Sequence, residues 1–514
     1  MLLAAGVRWV RASFVVVLAA VLPACGRRRS PRISPTHQSC GEVAQLATEE
    51  DLACQEIIGR YQFNGAGASA MPQLLQALGA PGRNLRGMTV TGTNGKGSTC
   101  ALAVSALAAA GLRTGSMPSP HLQRVTERIR INGAPVSPTA CHRAFHKVDE
   151  VLRSTGLVVN AGAVHAAAAA VHFALAGVDL AVLEANIGGR RTAVNCFDTG
   201  VKVITGVGLD HEHLLGKTLG EIARNKAGIV RDGDHVVLGE MPEEAAKAVE
   251  DVLSHHTGLT VWRLPQEVHC RPRTAGDGHT VLEVATPHAV HQDLTCPLRG
   301  EHQHHNLALP VAGIDALTER GSIRGISEEA LYSGLAATRW PGRLELLAPA
   351  HLDAWTGRLL LDIAANHQGA ATVAPEILRQ SRATERTALV FGTLRYKNVA
   401  TMLEPLPADW PVVLTRVGHP NEAAPAEMRT ALASRRELHV RQETADAVRL
   451  ATELVGAGGL VTVLGTPLLI GRVREVPPPA RLTAPAGGSS GCCTHPPGWG
   501  VWAALGSAWG ESTT

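Results

Sequence analysis

Aromatic residues are scarce in this chain. Phe, Trp and Tyr together make up 3% of its 514 residues, so large cores must be built from Ala, Val, Leu and Ile. No basic block with interleaved aromatics is present, and the net charge of +3 is spread along the chain, which argues against a nucleic-acid partner. The ten cysteines show no paired metal-ligand spacing, and Cys492-Cys493 are adjacent in a Gly/Ser/Pro stretch. In a chain this long they read as reduced, buried thiols rather than a disulfide framework. No apolar run is long enough for a comfortable transmembrane helix; Phe14 to Leu22 falls short, so no membrane partner is expected.

The ends look unlike domains. Arg8 and Arg11 precede that apolar run and Pro23-Ala24-Cys25 follow it, a pattern like a signal peptide, even a lipoprotein signal. The favoured reading of residues 1–45 is a leader or a non-native extension in an Ala/Arg-rich coding region. A cytoplasmic protein is therefore expected. Residues 477–514 carry PPP, GGSSG and PPGWG without periodicity and read as a disordered tail.

Between the ends, apolar strands alternate with helical stretches, which predicts an α/β protein. Strands are expected at 87–91, 180–184, 201–205 and 235–238, with helices at 99–110, 163–176 and 219–227. A second set of strands follows at 358–362, 388–391, 412–415 and 460–464, with helices at 425–435 and 445–455. The expected organisation is an N-terminal parallel-sheet domain of P-loop ATPase type over 46–297. A smaller Rossmann-like α/β domain follows over 298–476, with the connection near Thr295–Asn306.

The stretch TGTNGKGS, Thr91 to Ser98, lies between a strand and an Ala-rich helix. Gly92, Gly95 and Gly97 let backbone approach a ligand. Amides at a helix start suit a polyphosphate. In such a loop Thr93 and Asn94 line the turn, Lys96 reaches terminal phosphates, and the Ser98 hydroxyl sits on Mg²⁺. The spacing differs from the usual P-loop: two residues separate Gly92 from Gly95, and Gly97 stands between Lys96 and Ser98. Further along, Glu184 ends a buried strand, where a Walker-B-type carboxylate sits. NIGGRRTAVN, Asn186 to Asn195, is a Gly-rich loop able to approach a substrate. His211, beyond the next strand, offers a nitrogen to a metal, and Lys226 lies on an amphipathic helix. Each has a structural reading too; their order after a P-loop distinguishes them.

That order resembles the Mur ligase superfamily, and within it folylpolyglutamate synthase and dihydrofolate synthase. The resemblance spans roughly residues 50–475 and includes SPHLQRVTERIRING (119–133), LEANIGGR, GLDHEHLLGKTLGEIARNKAGI, GEHQHHN (300–306), RWPGRLE (339–345) and LDIAANHQGA (361–370). It implies an ATP- and Mg²⁺-dependent ligase that adds L-glutamate to a folate-type acid through an acyl phosphate. It further implies metal ligation by Ser98, Glu184 and His211, and a carbamylated Lys226 beside the metal. Lys96, Lys226 and His211 are the catalytic candidates. ATP contacts are implied for Gly92 to Ser98, Asn306, Arg343 and Asp362, and substrate contacts for Ser119, Pro120, His121 and Arg128. A monomer is expected. The chain also departs from the family pattern. Thr192 replaces an acid, Ala365 replaces a histidine with His367 nearby, the second-domain Lys-Asp pair reads Lys397-Asn398, and Gly162-Ala163 stand where Phe-Glu is expected. A paralogous ligase acting on another carboxylic acid, or a non-catalytic ATP-binding relative, are the alternatives.

Overall fold

Two parallel sheets carry the chain's long buried strands, and both point their C-terminal ends at the same loops. The computed structural model describes residues 48–61, 69–275, 280–347 and 355–475; the expected leader and tail lie outside them. The first sheet is built from β1 (Gly87–Thr91), β2 (Thr114–Met117), β3 (Arg130–Ile131), β4 (Ala134–Pro135), β5 (Leu180–Glu184), β6 (Gly200–Ile204), β7 (His235–Leu238) and β8 (Thr260–Arg263). Its order is β4-β3-β2-β5-β1-β6-β7-β8, parallel from β2 to β8, with β3 and β4 added antiparallel at one edge. β1 and β5 are buried along their whole length, as unbroken apolar runs predict for a parallel sheet covered on both faces. β1 is central: the chain goes to one side of it for β2 and β5, then to the other for β6. Such a crossover point is where ligands bind in open α/β sheets.

An antiparallel sheet of β9 (His269–Thr274), β10 (Thr280–Ala285) and β11 (Val290–Leu294) follows. The third sheet comprises β12 (Glu345–Leu347), β13 (Arg358–Asp362), β14 (Thr387–Gly392), β15 (Val412–Leu414), β16 (Leu438–Val440) and β17 (Leu460–Gly465). Its order is β12-β13-β17-β14-β15-β16, with only β12 antiparallel. The described residues belong to one compact unit, and none of their helices is long and apolar enough to cross a membrane.

Alanine does the work that aromatics do elsewhere. The helix Ala161–Ala176 buries a run of alanines between its neighbours, and small side chains let helix axes approach closely. Gly334 shows the same economy of volume, since a Cβ there would lie 2.6 Å from the Cα of Ala106. Its absence lets the helix Glu328–Ala337 lie directly on Lys96–Ala109.

Two expectations need correction. Thr295–Asn306 is not where packing changes. The helix His302–Glu319 starts inside that stretch, and Leu307, Leu309, Val311 and Ile314 join Met88, Val90, Leu102 and Val203 in the first sheet's core, with Leu331 and Leu335 behind them. The change of core falls between Ala337 and Glu345, because a helix apolar nearly all round must be enclosed by the sheet it follows. Secondly, the helix expected at 99–110 begins at Lys96, after a left-handed Gly95, so Lys96, Gly97 and Ser98 form its first turn.

Candidate active site

The loop between β1 and its helix is held from several sides. Gly95 has φ +85°, and a Cβ there would lie 2.3 Å from the Asn306 side-chain oxygen; only glycine meets both conditions. The Thr93 amide donates to Gly206 O at 2.9 Å, and its hydroxyl donates to Gly208 O at 3.0 Å. The first-turn amides of Lys96, Gly97 and Ser98 open toward the loop, with the helix dipole behind them.

Two lysines share one carbonyl oxygen. Lys96 Nζ donates to Gly92 O and Thr93 O, both at 3.0 Å, and Lys226 Nζ donates to Gly92 O at 2.7 Å. Lys226 is buried; desolvation first and the Lys96 charge second bring its pKa down to about 7. Burial also lowers the Lys96 pKa, against the pull of Glu184.

Glu184, at the end of β5, is buried, and burial raises its pKa while Lys96 and the Ser119 amide act the other way. That amide donates to Glu184 Oε2 at 3.0 Å. The Ser119 hydroxyl lies 2.8 Å from Asn186 Oδ1 and receives Arg128 Nη1 at 3.1 Å. Arg128 Nε donates to His121 Nδ1 at 3.0 Å. Ser119, His121, Arg128 and Glu184 thus form one hydrogen-bonded group, with Pro120 joined to Ser119 by a cis peptide.

His211 has φ +50° and stands beside Asp210. Burial, reinforced by Lys397, Lys96 and Lys226, pushes its pKa down to about 4 despite Asp210, leaving a neutral imidazole at pH 7. The Ser98 hydroxyl is buried without any hydrogen-bond partner, an unusual state for a native polar group and one that a bound ion would resolve. The described residues hold no group of three His, Cys, Asp or Glu side chains set to bind a metal. A serine oxygen, one carboxylate and one neutral imidazole still fit Mg²⁺, which keeps several waters and phosphate oxygens in its shell.

The third sheet supplies the opposite wall. Asp362, at the end of β13, accepts from the amides of Leu344 and Ala364, both at 2.8 Å. Burial raises its pKa to about 6 even so. Burial lowers the Arg343 pKa, against the charges of Asp362 of the third sheet and Glu184 of the first. Asn306 Nδ2 donates to Gln303 at 2.9 Å.

The sequence reading missed a joint between the two walls. Asp210 receives the His211 amide at 2.8 Å, Asn366 Nδ2 at 3.1 Å and the Lys397 ammonium. Asn94 of the loop meets Asn366 at 3.1 Å and Gln368 at 3.2 Å. The motifs containing Asp210 and Asn366 were visible, but nothing local says that they touch. His367, near Ala365, has its Nδ1 2.8 Å from Thr401 O on the helix Val399–Leu403.

No protein-family model matches the chain. A Bacillus subtilis dihydrofolate synthase/folylpolyglutamate synthase is 33% identical over 359 residues, covering 68% of this chain and 81% of that protein. The Mycobacterium tuberculosis protein of the same name is 31% identical over 404 residues, covering 74% and 81%. Among solved structures, Mycobacterium tuberculosis folylpolyglutamate synthase complexed with ADP superposes with a TM-score of 0.74 at 27% identity, covering 83% of this chain and 98% of that one. Escherichia coli FolC in complex with DHPP and ADP gives 0.71 at 26% identity, covering 83% and 97%. A bifunctional folylpolyglutamate synthase/dihydrofolate synthase with Mn, AMPPNP and L-glutamate bound gives 0.68 at 26% identity, covering 79% and 93%.

Proposed function

The chain belongs to the dihydrofolate synthase/folylpolyglutamate synthase family and is an ATP-dependent acid–amino-acid ligase, and we propose that the cleft described above joins L-glutamate to a folate-type carboxylate through an acyl phosphate. One observation carries the assignment of roles: Lys96 and Lys226 converge on Gly92 O just past the end of the central strand, where the charges of Glu184 and Arg343 act on Lys96.

In this reading a substrate carboxylate oxygen attacks the γ-phosphorus of ATP, and ADP leaves. The glutamate amine then attacks the acyl carbon; phosphate departs with the bonding pair, and the nitrogen loses a proton. Lys96 and the first-turn amides hold the migrating phosphoryl group, where fixed donors in a dry site are most effective. Asn306 holds the nucleotide beside the loop, and Arg343 and Asp362 hold it from the other wall. Ser119, His121 and Arg128 orient the acid, with Pro120 shaping the loop. Ser98, Glu184 and His211 would hold Mg²⁺, which when bound spreads phosphate charge. Lys226, with a pKa near neutrality, is in part the free amine that CO₂ requires. Its carbamate turns a cation beside the metal into an anion. The need for ATP supports a cytoplasmic location.

The Ser98 hydroxyl has no partner to lose, so Ser98→Ala should leave Tm unchanged. The Mg²⁺ concentration for half-maximal activity should rise about tenfold. A lower Tm with unchanged Mg²⁺ dependence would assign the hydroxyl to the fold instead.

Ala365 presents a methyl group where the family has an imidazole. Ala365→His should raise kcat, by up to about 10²-fold if a proton-transfer group is restored, with KM for ATP unaltered. His367→Ala should change kcat little, because that ring is occupied at Thr401. The substrate is tested by incubating the protein with ATP, labelled glutamate and a panel of dihydropteroate, tetrahydrofolate and unrelated aromatic acids. Amide formation with a pteridine acid supports the folate reading. Formation only with another acid favours the paralogue, to which Thr192 and Gly162-Ala163 point.

A further inference from the structure

The loop after β14 reaches across the cleft and places one aromatic ring against the site. Tyr396 lies 6.1 Å from the ring of His211 and 5.3 Å from that of His213, and His211 and His213 are 6.3 Å apart. The Lys397 ammonium sits 5.3 Å from the Tyr396 ring centroid and pairs with Asp210. The loop itself is braced. Arg395 N donates to Asn421 O at 2.8 Å, Lys397 N donates to Leu394 O at 3.0 Å, and Leu394 bridges to Glu422. Tyr396 is half exposed, its ring contacting both imidazoles while part of it stays open to solvent. Leu209 and Leu214, also half exposed, extend the apolar rim on the histidine side.

From this geometry we propose that Tyr396, seated on His211 and His213, is a positioning residue that seals the cleft and directs the acyl phosphate to the amine rather than to water. The inference rests on the ligase reading above. An acyl phosphate has two fates. If the glutamate nitrogen attacks the acyl carbon, the C–O bond to phosphate breaks and an amide remains. If a water oxygen attacks that carbon, the same bond breaks, the acid is regenerated, and one ATP has been hydrolysed to ADP and phosphate without product. Water must therefore be kept off the intermediate while the third sheet's wall is closed on the first. The hydrogen bonds at Asp210 hold that closure, but they are narrow; a ring covers area. Its ring centroids lie 6.1 Å and 5.3 Å from those of His211 and His213, within the range over which aromatic pairs attract.

The experiment measures ADP released and amide formed in the same reaction, for the full chain and for Tyr396→Ala and Tyr396→Phe. The parent should give a ratio near one. Tyr396→Ala should raise the ratio about five-fold with KM for ATP unchanged, while Tyr396→Phe, which keeps the ring, should stay near the parent. A Tyr396→Ala enzyme that stays coupled, however slow, refutes the inference and leaves the ligase reading standing. So does a Tyr396→Phe enzyme as leaky as alanine, since the ring would then not be what matters. A parent that forms no amide with any acid refutes the ligase reading, and this inference with it.

Discussion

Lys226→Ala should retain no more than about 1% of ligase activity, the loss typical of removing one preorganised charge-stabilising group. The parent should carry a carbamate at this position. Its amine points at Gly92 O, and burial, with the charge of Lys96 second, brings its pKa down to about 7. Only the unprotonated amine reacts with CO₂. Below that pKa the ammonium dominates and occupancy should fall; as pH rises from 6 to 8 it should increase. A ¹³C NMR spectrum in labelled bicarbonate should show one carbamate carbon that Lys226→Ala abolishes, and acetate should partly rescue that variant. An unmodified lysine in a nucleotide complex, or a variant with near-parental activity, would contradict this role.

Lys96→Ala should lower kcat by about 10³-fold by removing a donor to the migrating phosphoryl group. The fold should survive. Lys96 is partly buried rather than exposed, yet its ammonium bonds only to carbonyls of its own loop, Gly92 and Thr93. Gly92 O keeps Lys226 as a donor when Lys96 is gone. Paired kcat and thermal-melt measurements check both halves. Ligation above a few per cent of the parent would mean the loop does not hold the γ-phosphate, and a collapsed melt would mean that the lysine braces the fold.

Much of the sheet framework was legible because its strands are unbroken apolar runs. LAVLE and RLLLD begin and end where expected, and the carboxylates closing them, Glu184 and Asp362, emerge at facing walls of the cleft. The antiparallel sheet β9–β11 was not legible. HCRPRT is largely exposed and carries no apolar alternation to read. The misplaced boundary has a similar origin: the histidines of GEHQHHN look like a polar connection, while the helix they open turns its later residues into the first core. In the site, the stretches that carry Lys96, Glu184, Lys226 and Arg343 could be found, since each is continuous in sequence. The Asp210–Asn366–Lys397 joint and the Tyr396 contacts could not, because they unite residues far apart in the chain through single side chains with no local signature.

The central claim is that the substrate's own carboxylate oxygen passes to phosphorus before the amide forms. The substrate acid is therefore prepared with ¹⁸O in both carboxylate oxygens and turned over with ATP and glutamate, and the released phosphate is examined by mass spectrometry. The account predicts one ¹⁸O in each phosphate for each amide made, since the C–O bond that breaks leaves that oxygen on phosphorus. Amide formation with unlabelled phosphate would contradict it.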